Sequence, residues 1–162
     1  MTEVIRAREL MRTDFLRIRT EQTLRDAMVA LRGTQGEAGM PSALMVVDND
    51  GKYRGVLTAR LLIRLLAGGH DDEGEIDDMM LLASARDRLS TQIGDELVQD
   101  IPVVAPDDRL LTLIRRGAPM RLDFVPVVED GRPVGFAPIT AIFQAAAAMA
   151  LTPEDEGIRF DR

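Results

Sequence analysis

The sequence has no cysteine or tryptophan, and only one histidine and one tyrosine among its 162 residues. The absence of cysteine excludes disulfides, a thiolate nucleophile and a thiolate metal site. Because only 4% of the residues are aromatic, there is little material for the stacking platforms that bind single-stranded nucleic acid. A hydrophobic fraction of 46% still predicts a folded core, built from aliphatic side chains and methionine.

Lysine is also nearly absent, so almost all of the positive charge is arginine. Lys52 is the only lysine, the formal net charge is -7 and the pI is near 4.8. Such an acidic chain attracts a phosphate backbone poorly, so nucleic acid is not expected as a partner. An anion bound to this protein would meet a guanidinium fork and not an ammonium group.

Long apolar runs and catalytic signatures are missing as well. No stretch approaches the roughly 18 apolar residues that a membrane span needs, so we expect a soluble cytoplasmic protein. The lone histidine, His70, lies in the acidic stretch GGHDDEGEIDD, and no Gly-x-Ser-x-Gly motif or phosphate loop is present. An enzyme is therefore the least expected class.

Two stretches of the chain are nearly alike: VVDNDGKYRGVL at 46–57 and VVEDGRPVGFA at 127–137. Their Asp-Gly turns and following glycines, Gly55 and Gly135, keep the same spacing of 80 residues. Upstream, DFLRIRTEQTL at 14–24 aligns with DIPVVAPDDRL at 100–110 at an offset of 86, and a loop insertion at 33–39 accounts for the change. The pattern predicts an internal repeat.

Each repeat is predicted to contain a helical lead-in, an extended segment, a helix, a hairpin and a closing helix. Apolar residues at Leu24, Ala27, Met28 and Leu31 have the spacing of one buried helical face. Asp-Gly supplies the positive φ of a tight hairpin turn. We predict these segments, in order: repeat one at 1–66, an acidic linker with a helix at 67–92, repeat two at 93–151 and a polar tail at 152–162.

These residues resemble the cystathionine β-synthase (CBS) domain, which normally occurs in pairs. The resemblance covers roughly 7–66 and 93–151, through ELMRTDFLRIRTEQTLRDAM with LMVVDNDGKYRGVLT and ELVQDIPVVAPDDRL with FVPVVEDGRPVGF. It implies a stand-alone tandem pair with an α+β fold, two β-α-β-β-α repeats packed about a pseudo-twofold axis, and usually a homodimer. Members of the family sense AMP, ATP or S-adenosylmethionine in clefts between the repeats and regulate another protein.

The resemblance also indicates ligand-binding positions. The family pattern Gly-x-x-Thr-x-x-Asp binds ribose, but this chain has Gly55-Val-Leu-Thr58-Ala-Arg-Leu61 in repeat one and Pro138 and Ala141 in repeat two. Thr58 is a candidate ligand residue or only a helix cap, and Arg60 at the helix start could hold phosphate. Arg17 and Arg19, on one face of the extended segment, are secondary candidates.

Three functions follow from this pattern. The leading expectation is a regulatory module that binds an adenosine-containing nucleotide in at most one cleft and signals to a partner protein. The alternatives are a dimeric scaffold whose ligand sites are degenerate, and a divalent-cation sensor that uses the acidic linker and His70. No metal site is assigned, because DNDG at 48–51 lacks the later ligands of a calcium loop and is predicted to be a hairpin turn.

Overall fold

A computed structural model describes residues 4–34, 37, 39–66, 77–94 and 101–161 of the chain. Its elements are α1 (Ala7–Leu10), β1 (Arg17–Arg19), α2 (Leu24–Thr34), β2 (Ala43–Val47), β3 (Tyr53–Thr58), α3 (Ala59–Leu66), α4 (Asp78–Arg88), α5 (Leu110–Gly117), β4 (Phe124–Glu129), β5 (Arg132–Pro138), α6 (Ile139–Ala150) and a 3-10 turn (Asp155–Gly157). The fold is α+β, as predicted, with two copies of a helix-hairpin-helix unit.

The first repeat forms a three-stranded sheet in the order β1-β2-β3. β1 runs parallel to β2, and β3 is antiparallel to it. All five residues of β2 are buried, as expected of a continuously apolar central strand. The sheet packs on the apolar face of α2 through Leu24, Ala27 and Leu31, which confirms the buried stripe read from their spacing.

The second repeat has a two-stranded sheet, β4 and β5, and its extended segment is reduced to one bridge between Val104 and Val127. Val104 makes both backbone bonds of that bridge: its N–H donates to Pro126 and its carbonyl accepts from Val128. Further pairing is limited because Pro102, Pro106 and Pro126 have no N–H to donate. This copy of the predicted first strand is therefore shorter than β1.

Both hairpins bend at the same place. The register shifts between Val46 and Val47 in one and between Val127 and Val128 in the other, and the residues opposite are Gly55 and Gly135. A bulge of this kind increases the local twist and often carries a glycine. The two glycines that keep the spacing of 80 residues therefore lie opposite matched backbone bends.

The two hairpin turns differ in length. In the second, β4 and β5 are joined by Asp130 and Gly131 alone, with φ of 53° and 77°, which is the pattern of a two-residue turn with two positive φ angles. The first turn is longer, and only Gly51 within it has positive φ, at 80°. Asp48 Oδ1 accepts there from the backbone N–H groups of Asp50 and Lys52, both at 2.9 Å. DNDG is thus the hairpin turn that was predicted.

The segment that precedes each repeat forms backbone hydrogen bonds with the other repeat. Ala7 N–H donates to the Asp108 carbonyl at 2.8 Å, and Ile93 N–H donates to the Gln22 carbonyl at 2.8 Å. These two bonds are related by the offset of 86 residues found in the sequence. α1 confirms the helical lead-in of the first repeat. The matching segment of the second repeat, GDELV at 94–98, lies largely outside the described residues.

The two sheets pack against each other through a shared core of Ala43, Met45, Val56, Phe124 and Phe136. The two phenylalanine rings meet edge to face, with centroids 5.9 Å apart. At the hairpin tips, the N–H of Tyr53 donates to the Gly131 carbonyl at 2.7 Å, which ties the repeats together. This arrangement places the first turn of α3 opposite the second repeat.

Several apolar side chains remain outside the core. α4 confirms a helix in the linker, but none of its residues is buried and Met79 and Met80 are exposed. Ile158 and Phe160 in the tail are also exposed. None of the helices in the described ranges has the length and hydrophobicity that crossing a bilayer requires.

Candidate functional site

A cleft of ≈ 1230 Å³ lies between the two repeats. One wall is the end of β3 with the first two turns of α3, and the other is formed by 101–102 and 115–123 of the second repeat. Its apolar lining includes Ile63, Ile101, Pro102, Pro119, Met120 and Leu122. Aliphatic walls with a few polar groups are typical of ligand clefts, which usually measure about 300–1,000 Å³.

Thr58 lies in this cleft and also caps α3. Its Oγ1 accepts a hydrogen bond from the Leu61 N–H at 3.0 Å. The hydroxyl proton is left for a second partner, so the capping bond and a ligand bond are compatible. Leu61, at the position of the family carboxylate, packs against the first core and cannot accept a bond from ribose.

Arg60 lies in the same cleft, and Arg64 joins it one helical turn later. Residues at i and i+4 share one face of a helix, so both guanidinium groups project from the same side of α3. Arg60 occupies the first turn, where the helix dipole disfavours a cation by about 0.3–1 kcal/mol, and no acidic residue accompanies it there. Its position is therefore unfavourable unless an anion is bound.

Three further arginines line the opposite wall: Arg115, Arg116 and Arg121. Arg116 donates to the Val103 carbonyl, which anchors its side chain to the backbone. Arg115 and Arg116 lie in the last turn of α5, where cations complement the helix dipole. Because this stabilising role is sufficient to explain them, the sequence offered no reason to consider them as ligand-binding residues. Their contribution follows only from the packing of the repeats, which sequence spacing does not specify.

The arginines of the cleft form no ion pair with a carboxylate in the part of the chain that the structure describes. The ion pairs among the described residues join Arg8 to Asp107, Arg12 to Asp14 and Arg19 to Glu21, and none of them lies in the cleft. Asp123 is the one carboxylate in the cleft lining that the structure describes. A chain with a net charge of -7 therefore carries a locally basic cleft.

Arg17 and Arg19 do not line this cleft. The Arg17 guanidinium carbon lies 4.9 Å from the centre of the Phe15 ring, and Arg19 Nη1 lies 3.7 Å from Glu21 Oε1. Both side chains are exposed on the predicted face of β1, and Ile18 is buried on the other. The structure thus brings Thr58 and Arg60 together and leaves the two secondary candidates apart from them.

The equivalent positions around the second repeat are different in chemistry. Thr58, Arg60 and Arg64 correspond at a spacing of 80 residues to Pro138, Thr140 and Gln144. At the offset of 86 residues, Arg115 and Arg116 correspond to Val29 and Ala30. The pseudo-symmetry of the fold is therefore not matched by symmetry of charge.

Two other electrostatic features lie outside the cleft. Hydrogen bonds from Arg12 and Arg8 lower the pKa of Asp14 and Asp107, respectively. Burial raises the pKa of Tyr53 to about 12.

Within the described ranges, no group of three or more histidine or acidic side chains could hold a metal ion. His70 and the acidic residues 71–76 lie outside those ranges.

Comparison with known proteins agrees with this architecture. Residues 7–68 match the CBS domain family. No curated protein matches the chain at a significant level. A CBS domain-containing protein of unknown function from Kribbella flavida is 22% identical, with a TM-score of 0.70 over 88% of this chain and 99% of that one.

Two structures with bound nucleotides share the fold. The cytosolic domain of the Mg2+ channel MgtE in complex with ATP is 23% identical, with a TM-score of 0.65 over 86% of this chain. This chain covers 48% of that domain. CBSX2 in complex with AMP is 18% identical, with a TM-score of 0.64 over 90% of this chain and 98% of that one. The CBS match over residues 7–68, the similar solved structures and the bonds of each lead-in segment to the other repeat show that the chain has the fold of a tandem CBS domain pair.

Proposed function

We propose that this protein is a regulatory CBS pair that binds a phosphate-bearing adenine nucleotide in the cleft beside Thr58 and transmits its occupancy to a partner protein. The observation that carries the proposal is a set of cleft arginines without a carboxylate partner among the described residues, one of them, Arg60, at the start of a helix whose cap keeps a free hydroxyl proton. Guanidinium groups bind phosphate oxygens through paired, charge-assisted hydrogen bonds. Complexes of similar folds with ATP and AMP support the ligand class.

Only one cleft is proposed to bind the nucleotide. Pro138 and Ala141 replace both polar groups of the family pattern in the second repeat, and the positions matching the cleft arginines are uncharged. A nucleotide there would gain neither the ribose bonds nor the phosphate bonds. We therefore expect one ligand per chain.

A cytoplasmic homodimer is the proposed form. Ile63 and Phe143 occupy matched positions on the closing helices of the two repeats and are 68% and 64% exposed. Large apolar side chains at equivalent exposed positions favour an interface that repeats the internal symmetry. The nucleotide cleft lies beside Ile63, so occupancy could be communicated to this surface.

The scaffold is the second candidate, because neither repeat keeps the family carboxylate: Leu61 and Ala141 stand at its two positions. In that case the chain would act through its dimer surface alone. A thermal melt with AMP, ADP, ATP and S-adenosylmethionine, each with and without Mg2+, separates the two. Magnesium alone tests the cation-sensor alternative.

For a nucleotide sensor, ligand at 100 times its dissociation constant stabilises the fold by about 2.7 kcal/mol. In a domain of this size, about 2–4 °C of melting temperature corresponds to each kcal/mol, so the shift is several degrees. Arg60→Ala should reduce the shift, and Arg54→Ala, an exposed arginine outside the cleft lining, is the matched control. If no adenosine compound shifts the melt at millimolar concentration, the scaffold is the better account.

A further inference from the structure

We infer that the cleft selects its ligand by the length of the phosphate chain and reads the base and sugar only weakly, so that a nucleoside triphosphate is bound whatever its base. The inference rests on the proposed function, since it assumes that the cleft beside Thr58 is the ligand site. It changes the chemical class from an adenosine compound to a polyphosphate anion.

The first support is the number and placement of the cations. Arg60 and Arg64 lie on one wall, and Arg115, Arg116 and Arg121 lie on the other. Arg116 is held by the Val103 carbonyl, and the remaining four have no carboxylate partner among the described residues. A terminal phosphate group offers three acceptor oxygens, fewer than the five guanidinium groups in the cleft lining. A chain of two or three phosphates can span them and offset their mutual repulsion.

The second support is the weakness of sugar recognition. The carboxylate that would accept the ribose hydroxyls is replaced by Leu61, whose side chain packs into the first core. Asp123, the carboxylate of the described lining, lies on the opposite wall from Leu61. The backbone N–H of Leu61 is used by Thr58 and that of Ala59 by the Ser42 carbonyl. Two amides of the helix start are therefore already used, which leaves the arginines as the main groups for phosphate recognition.

The third support is the apolar lining. It contains aliphatic side chains such as Ile101, Met120 and Leu122, and no aromatic ring among the lining residues that the structure describes. Aliphatic contact holds a base by area and does not distinguish adenine from guanine. The same cations disfavour the sulfonium of S-adenosylmethionine by charge repulsion.

The test is a competition titration of the full-length protein with ATP, GTP, AMP, adenosine and inorganic tripolyphosphate, in EDTA so that no metal contributes. We expect ATP and GTP to bind within about threefold of each other and ATP to bind about tenfold or more tighter than AMP, since one charge-assisted bond corresponds to about tenfold or more. Tripolyphosphate should displace ATP, and adenosine should not. This last pair separates a free phosphate chain from a nucleoside as the recognised part.

Two variants locate the effect. Arg64→Ala should weaken ATP about tenfold and leave AMP nearly unchanged, whereas Arg54→Ala should change neither. Equal affinity for AMP and ATP, or rejection of GTP, would overturn the inference and leave the adenine-nucleotide proposal standing. Binding of tripolyphosphate but of no nucleotide would overturn both proposals, because ATP and GTP carry the same phosphate chain and should bind as well. Absence of binding by all five compounds would overturn both.

Discussion

Tyr53 is the polar side chain most at odds with its surroundings. Its hydroxyl is buried and has no hydrogen-bond partner within the described part of the chain. A buried hydroxyl without a partner loses its hydration and gains nothing in return, at a cost of about 1–3 kcal/mol. The ring itself packs against the shared core of the two sheets.

Replacing Tyr53 by phenylalanine should therefore raise the free energy of unfolding by up to about 1 kcal/mol, because the ring stays and the unpaired hydroxyl is removed. Urea denaturation measures the change as a higher midpoint. Tyr53→Leu serves as the control, since it also removes ring contacts and should lower the midpoint. A lower midpoint for the phenylalanine variant would reveal a partner for the hydroxyl.

The ionisation of Tyr53 gives a second prediction. Burial raises its pKa to about 12 in the folded protein, whereas an unfolded tyrosine titrates at about 10. Since the folded pKa is the higher one, the contribution of the neutral phenol to stability is complete below about pH 10 and is lost as the pH rises towards 12. As the only tyrosine in a chain without tryptophan, it can be followed by phenolate absorbance. Titration near 10 while the protein is folded would contradict its burial.

Among the elements, the two hairpins show how closely the repeats correspond. Gly135 approaches the N-terminal segment so closely that an added Cβ would lie 2.6 Å from the Arg12 carbonyl oxygen. Gly55 is buried, with φ of 151°, a value that residues with side chains rarely adopt. The same bulge thus needs glycine for a close contact in one repeat and for its backbone angle in the other.

Gly55→Val and Gly135→Val should both lower the melting temperature by several degrees, in line with a loss of about 1–3 kcal/mol at strained or crowded sites. Valine at Gly33, where an added Cβ meets no atom within 4 Å, is a control for the substitution itself. If only one of the two hairpin variants is destabilised, the structural equivalence of the bulges is wrong.

The start of α3 is the element that joins stability to the proposed site. Thr58→Val removes the oxygen that accepts from the Leu61 N–H and should cost about 1 kcal/mol. Thr58→Ser keeps this bond and should cost less. Chemical denaturation compares the two without ligand. Equal stability of all three proteins would show that the capping bond contributes nothing.

Much of this architecture could be predicted from sequence spacing. The offset of 86 residues relates the exchanged backbone bonds of Ala7 and Ile93, and the Asp-Gly pairs mark both turns. Thr58 and Arg60 were found because they lie beside a motif. Arg115 and Arg121 were not, since they join the cleft from a distant part of the chain and no local pattern distinguishes them from solvated arginines.

In the part of the second repeat that the structure describes, no strand is equivalent to β1, and the apolar pattern of the sequence did not predict this difference. VVA at 103–105 has the apolar character of a strand, but pairing depends on N–H groups that the prolines on both sides and on the partner strand lack. Apolar periodicity reports burial, which Val104 does show. It does not report how many backbone bonds a segment can complete.

At the scale of the whole molecule, α3 and α6 carry exposed apolar side chains that we expect a second copy of the chain to bury. Ile63→Asp with Phe143→Asp should convert the proposed homodimer into a monomer, because a charge in an apolar interface is costly to desolvate. Sedimentation at micromolar concentration measures this. Val4→Glu is the control, because Val4 is exposed and lies outside these two helices. A wild-type protein that sediments only at 17.9 kDa would contradict the dimer.

The central claim is that one basic cleft in an acidic protein binds a nucleotide through its arginines. Calorimetric titration of ATP into the wild-type protein and into the Arg60→Ala/Arg64→Ala double variant tests it most directly. The account predicts one ATP per chain for the wild type and a loss of affinity of about tenfold or more in the variant, since two charge-assisted contacts are removed. Absence of ATP binding at millimolar concentration, or equal affinity in the two proteins, would contradict it.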